Sequence, residues 1–150
     1  LPWGFVFLRP LGLRLDSPPE LGALSANAVI ASNVVLIPGL SDGYSLQGVI
    51  QVHETISRIK QSLNPNLVLG GMFLVRYYPR EALSKTTWET AKLITAHLGM
   101  PLLETRIRHS NTISKVMTTL QCDMVRYAPK NNAVRDYIDL TDELLRKGVL

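Results

Sequence analysis

Asn33-Val34-Val35-Leu36-Ile37-Pro38-Gly39 and, some thirty residues on, Asn64-Pro65-Asn66-Leu67-Val68-Leu69-Gly70-Gly71-Met72-Phe73-Leu74-Val75 are the two stretches on which the architecture turns. Neither apolar run alternates with polar residues. A strand apolar on both sides is one buried on both faces of a sheet. The first run is expected to end at Pro38-Gly39, the second to extend from Leu67 to Val75. Between them Leu46, Val49, Ile50, Val52, Ile56, Ile59 and Leu63 recur at helical spacing, which predicts a helix from about Ser45 to Leu63. Two buried strands with a helix between them predict a parallel pair joined by a crossover.

The same alternation continues outward. Upstream, Leu11 to Leu15 reads as a short strand closing at Asp16, which Pro18 and Pro19 stop. Glu20 to Ala31 follows as a small-residue helix with Leu21, Leu24, Ala28 and Ala31 at helical spacing. Downstream, Leu83 to Leu98 is a helix that Gly99 ends. Leu102 to Ile107 is the next strand, and Asn111 or Thr112 caps a short helix to about Leu120. Asp123 to Tyr127 fits helix or strand. Ala128 to Asn132 is a turn, and Ala133 to Arg146 is an amphipathic helix. The expected class is α/β, a mostly parallel sheet flanked by helices.

Composition narrows the function classes. The chain has 150 residues, 46% of them hydrophobic and 19% charged, which excludes a disordered or collagen-like polypeptide. The net charge of +4 permits contact with nucleic acid without demanding it. A single cysteine, Cys122, excludes an internal disulfide and points to a reducing, cytoplasmic setting. No apolar window is long enough for a membrane span, and the apolar start at Leu1 lacks the cationic leader of a signal peptide.

In parallel sheets ligands gather at the carboxyl ends of strands, so the loops after the strands are where chemistry is expected. Asp16 at a strand end can reach a magnesium ion or its water shell, although a plain turn aspartate is the competing reading. No Gly-x-x-x-x-Gly-Lys-Ser/Thr, Lys-Gly-Gly-x-Gly-Lys-Thr or Gly-x-Gly-x-x-Gly occurs, so the usual phosphate cradle is missing from these residues. His53, His97 and His109 show no metal-ligand spacing, and only His109 falls in a candidate loop. Arg76, Arg80, Arg106, Arg108, Lys115, Arg126, Lys130 and Arg135 concentrate in the second half. They make a candidate phosphate-binding face, against the bland reading of a solvated surface. Tyr77 and Tyr78 between Arg76 and Arg80 could stack on a base or pack at a sheet edge.

The series of short motifs is more specific than any one of them. Asp16-Ser17-Pro18-Pro19 before a helix holding Asn27-Ala28, Val35-Leu36-Ile37-Pro38 followed by Tyr44-Ser45-Leu46-Gln47-Gly48, Asn64-Pro65-Asn66-Leu67 leading to Gly70-Gly71, Thr105 to Arg108, and Ala128-Pro129 before the final helix occur in one order. Together they resemble the ParA/MinD family of deviant Walker ATPases, which partition plasmids and chromosomes. The resemblance runs from about Asp16 to Leu145. It implies a partial P-loop NTPase fold of the SIMIBI type, with residues 1–15 an atypical N-terminal segment and 16–150 the C-terminal part of the nucleotide-binding domain. Asp16, Pro18, Pro19, Arg80 and Pro129 would be nucleotide or switch positions, with Asp16 near the metal. Arg106, Arg108, His109 and Lys115 would face DNA. ATP and Mg2+ are the implied cofactors. Self-association or pairing with a full-length relative, nonspecific DNA and a centromere-binding protein are the implied partners, on the nucleoid in the cytoplasm. With the phosphate loop expected upstream of this chain, no independent ATP hydrolysis is expected; a non-enzymatic interaction or DNA-binding module is the alternative. Tyr78 stands where the family carries a polar residue that contributes to base recognition, and His109 where it usually carries arginine.

Overall fold

The computed structural model describes residues 5–8, 14–17, 22–116 and 123–149, and for 5–8, 14–17 and 43–45 the backbone course alone. Strands β1 (Phe5–Leu8), β2 (Arg14–Ser17), β3 (Val34–Leu40) and β4 (Val68–Val75) form one sheet in the order β2-β1-β3-β4. β3 and β4 are parallel, whereas β1 is antiparallel to both β2 and β3. Residues 101–109 run parallel along the outer side of β4, with bridges at Leu102 and Arg108. β2, β3, β4 and this segment therefore share one direction, and β1 is the exception.

The two apolar runs do what their lack of alternation requires. Val35 and Ile37 in β3, and Met72 and Leu74 in β4, point into a core with helices α1 (Ala23–Ile30), α2 (Gly43–Ser62) and α3 (Ala82–His97). Leu36 and Phe73 point the other way, onto Leu103, Ile107 and, from helix α6 (Asn132–Arg146), Leu140 and Leu144. Burying both faces is what makes each run uniformly apolar.

Several boundaries differ from expectation. β3 continues through Pro38-Gly39 to Leu40, where the sequence suggested a stop. Ser41 N donates to Val75 O, so residues of its parity face β4, and Pro38, of opposite parity, faces the side where pairing with β1 has ended at Leu36. There its missing N–H loses nothing. The strand expected over Leu102 to Ile107 is interrupted: Leu103 N donates to Met72 O and Ile107 N to Leu74 O, so residues 104–106 bulge out between bonds that are two residues apart on β4. The short helix α4 (Asn111–Lys115) is capped by the Ser110 side chain, not by Asn111 or Thr112. Met124–Tyr127 forms helix α5, whose first turn the Asp123 carboxylate caps. α6 begins one residue early because the Asn131 side chain accepts from Ala133 N. Among the described residues no helix is long and apolar enough to cross a membrane.

Candidate functional site

Because β3, β4 and residues 101–109 share a direction, their carboxyl ends gather at one end of the sheet. β4 leaves that end through Arg76, whose φ of 55° is left-handed, a conformation that costs a non-glycine residue roughly 1 kcal/mol. The twist returns Tyr77 to the sheet: its N–H donates to Ile107 O at 2.9 Å and its carbonyl accepts from His109 N at 3.0 Å. Tyr78 is thereby set against His109, their rings stacked at 4.9 Å and 26°. His109 Nε2 lies 3.0 Å from Asn111 Oδ1, and Tyr78 N donates to Ser84 Oγ at 3.2 Å.

The outer side of residues 101–109 is held by α6 through two buried acids, Asp136 at 6% and Glu143 at 4% exposure. Glu104 N and Thr105 N each donate to one Glu143 carboxylate oxygen at 2.9 Å. Burial pushes the Glu143 carboxyl up. The Glu104 and Thr105 amides, the Thr105 side chain and the Lys147 ammonium outweigh this and hold it at about 2. Asp136 accepts from Arg108 N at 2.9 Å and from Arg108 Nε at 2.8 Å, and its other oxygen takes the second arm of the guanidinium. The hydrogen bonds that Arg108 donates to Asp136 raise the already high pKa of the guanidinium, so the arginine keeps its charge throughout the physiological range.

Between this segment and α6 lies an open cleft of about 670 Å³, with Tyr77, Arg106, Arg108, Asp139, Arg146 and Lys147 among its walls. Arg106 does not reach across it. Its guanidinium lies 4.6 Å from the Trp88 ring centre and 4.9 Å from that of Tyr77, with Nη1 3.4 Å from the Tyr77 hydroxyl. Partly exposed cation–π contacts are worth about 0.5–1 kcal/mol each. Arg106→Ala is accordingly expected to lower stability by about 1 kcal/mol. Urea melts followed through Trp88 fluorescence would show it, and an unchanged midpoint would assign the arginine no part in packing.

The structure brings Arg106, Arg108 and His109 to one neighbourhood. Arg80, Lys115 and Pro129 are exposed and outside the cleft walls. Asp16 is in β2, paired with Val6, at the far side of the sheet. Four strand spacings, roughly 19 Å, separate its strand from Arg108's segment. Pro18, Pro19 and Cys122 lie outside the described residues. Among the described residues no group of three His, Cys, Asp or Glu could hold a metal ion. The residues that build the cleft wall, Asp136 and Glu143, do not stand out in the sequence. Their signal was two acids seven residues apart in the stripe Ala133, Val134, Leu140, Leu144, all of which are buried.

A mostly parallel sheet covered by helices on both faces, with polar loops at the carboxyl ends of its strands, is the doubly wound α/β class, to which the P-loop NTPases belong. The cobyrinic acid a,c-diamide synthase of Mycobacterium smegmatis, solved with an ATP analog and magnesium, superposes on 87% of this chain and 46% of its own, with a TM-score of 0.68 and 27% identity. A family profile described as an AAA domain matches residues 13–69. The chromosome partitioning protein ParA of Caulobacter vibrioides is 34% identical over 101 residues, covering 67% of this chain and 37% of ParA. The ParA of Myxococcus xanthus is 28% identical over 145 residues, 93% of this chain and 50% of its own. The chain belongs to the ParA/MinD family. It spans about half the length, or less, of these curated relatives.

Proposed function

We propose that the chain serves chromosome or plasmid partition as part of a ParA-type ATPase. The observation that carries this is the 34% identity to a chromosome partitioning protein over two thirds of the chain. Support for nucleotide and magnesium as cofactors comes from the neighbour solved with an ATP analog and magnesium. Asp16, Pro18, Pro19, Arg80 and Pro129 are the nucleotide and switch positions of this reading, with Asp16 toward the metal. Residues 1–15 are an atypical N-terminal segment, and 16–150 belong to the nucleotide-binding domain. The protein acts in the cytoplasm, on the nucleoid.

The usual phosphate loop is missing from these residues. No glycine-rich loop with a lysine occurs in the sequence, and backbone amides with a lysine are the main source of phosphate affinity. These 150 residues are therefore expected to bind ATP weakly and to release no phosphate. Titration with a fluorescent ATP analog and a phosphate-release assay test this; micromolar binding or turnover would sink it.

DNA is the second ligand of this reading, through Arg106, Arg108, His109 and Lys115. Asp136 neutralises Arg108, whereas among the described residues no carboxylate pairs with Lys115. Lys115→Ala is expected to lower the salt slope of DNA binding by about one, with Arg108→Ala changing it less. Fluorescence anisotropy at several salt concentrations reads this out, and equal slopes for the two variants would remove the distinction. A non-enzymatic module that pairs with a full-length relative or a centromere-binding protein is the second reading.

A further inference from the structure

The acids of α6 meet the sheet in an unusual way. Leu103, Ile107 and His109 turn their N–H groups inward, onto β4 and Tyr77. The N–H groups of Glu104 and Arg108 have the opposite parity and face outward, as does that of Thr105 in the bulge. An outward row of donors on the last segment of a sheet is where another strand adds. Here all three donors end on carboxylate oxygens of one helix.

The fit is one of placement as well as chemistry. Asp136 and Glu143 are seven residues apart, about two turns on one side of the helix. They meet Arg108 just beyond the 104–106 bulge and the Glu104–Thr105 pair within it. α6 thus runs antiparallel to the segment with one acid at each end of the exposed row. Both carboxylates are further tied, Asp136 by the Arg108 guanidinium and Glu143 by Lys147 Nζ at 3.1 Å. Leu140 and Leu144, between and beside them, anchor the helix in the core with Leu103 and Ile107.

We infer that α6 is an edge guard: Asp136 and Glu143 occupy the outward donors of residues 104–108 and so keep a second copy of this chain from adding there as a strand. A second copy is the occupant refused because the row it would pair with is present, in identical sequence, on every molecule in solution. The carboxylates do the work of a missing neighbour strand without offering an edge of their own.

Hydrogen exchange by NMR on the unmodified chain gives the first test. The amides of Glu104, Thr105 and Arg108 are expected to exchange at least 100-fold more slowly than in an open chain, and exchange at open-chain rates would overturn the inference. The second test is the double variant Asp136→Ala with Glu143→Ala. It is expected to form dimers or larger species by light scattering, and to bind a fluorescent peptide of residues 102–109 that the unmodified chain ignores. A variant that keeps its far-ultraviolet circular dichroism, stays monomeric and ignores the peptide refutes the guard. Should the double variant not fold, Glu143→Gln decides. It preserves shape and keeps one acceptor, so exchange of the Glu104 or Thr105 amide should rise at least 10-fold and the peptide should bind. Faster exchange without peptide binding would leave only a packing role and overturn the guard.

Discussion

Replacing Glu143 with alanine is expected to remove about 3 kcal/mol of folding stability, a large share of what a domain of this size holds. Two amides, those of Glu104 and Thr105, lose their acceptor in a partly buried place, and each such loss costs about 1–3 kcal/mol. The same hydrogen bonds make this contribution depend on pH. The Glu143 carboxyl drops from 4.5 to about 2 on folding, and at about 1.4 kcal/mol per pKa unit that corresponds to roughly 3 kcal/mol. The folded pKa is the depressed one, so the contribution is fully present above about pH 5. It is lost as the pH falls through 4.5 toward 2. Urea melts at pH 7, 4 and 3 should show the unmodified chain losing stability across this window. Glu143→Gln should follow a flatter acid limb, and parallel acid limbs in the two proteins would refute the assignment.

Gly71→Val should be comparably severe. Gly71 has a φ of 128°, outside the range an L side chain takes, and a Cβ there would stand 2.7 Å from the carbonyl oxygen of Pro101. That oxygen cannot retreat, because it accepts from Met72 N at 2.8 Å and so begins the pairing of residues 101–109 with β4. Gly71 also closes the irregularity in which Leu69 pairs with Val35 but Gly71, not Gly70, with Leu36. Backbone strain of about 1–3 kcal/mol and a similar overpacking term make roughly 3 kcal/mol or more the expected loss. Thermal unfolding should fall by about 10 °C. Gly48 is the control. It lies inside α2, and a methyl group added to it would meet nothing within 4 Å, so Gly48→Ala should stabilise the protein by about 0.5–1 kcal/mol. Equal effects at the two glycines would show that the close approach to Pro101 does not govern this part of the sheet.

The candidate site was legible in part, and the division has a chemical cause. Arg106, Arg108 and His109 were visible because basic residues after a strand of a parallel sheet are a local signal. Their partners were not. Whether Arg108 is a free cation or half of an ion pair depends on Asp136, 28 residues on, and whether Arg106 reaches outward depends on Trp88 and Tyr77. Asp16 and Arg108 both read as residues at strand ends, where ligands gather, yet their strands are at opposite sides of the sheet.

The unbroken apolar runs at Val34 and Leu67, with an amphipathic helix between them, were enough to establish a parallel βαβ unit covered on both faces. Burial on two faces demands that composition locally, whatever the rest of the chain does. The order of short motifs was likewise enough for the family. Where the last segment would stay a regular strand, where it would bulge, and which acids would cap it were settled only when α6 packed against it. A hydrogen bond from Glu104 to Glu143 joins residues 39 apart, and no local periodicity encodes which amide a distant carboxylate will meet.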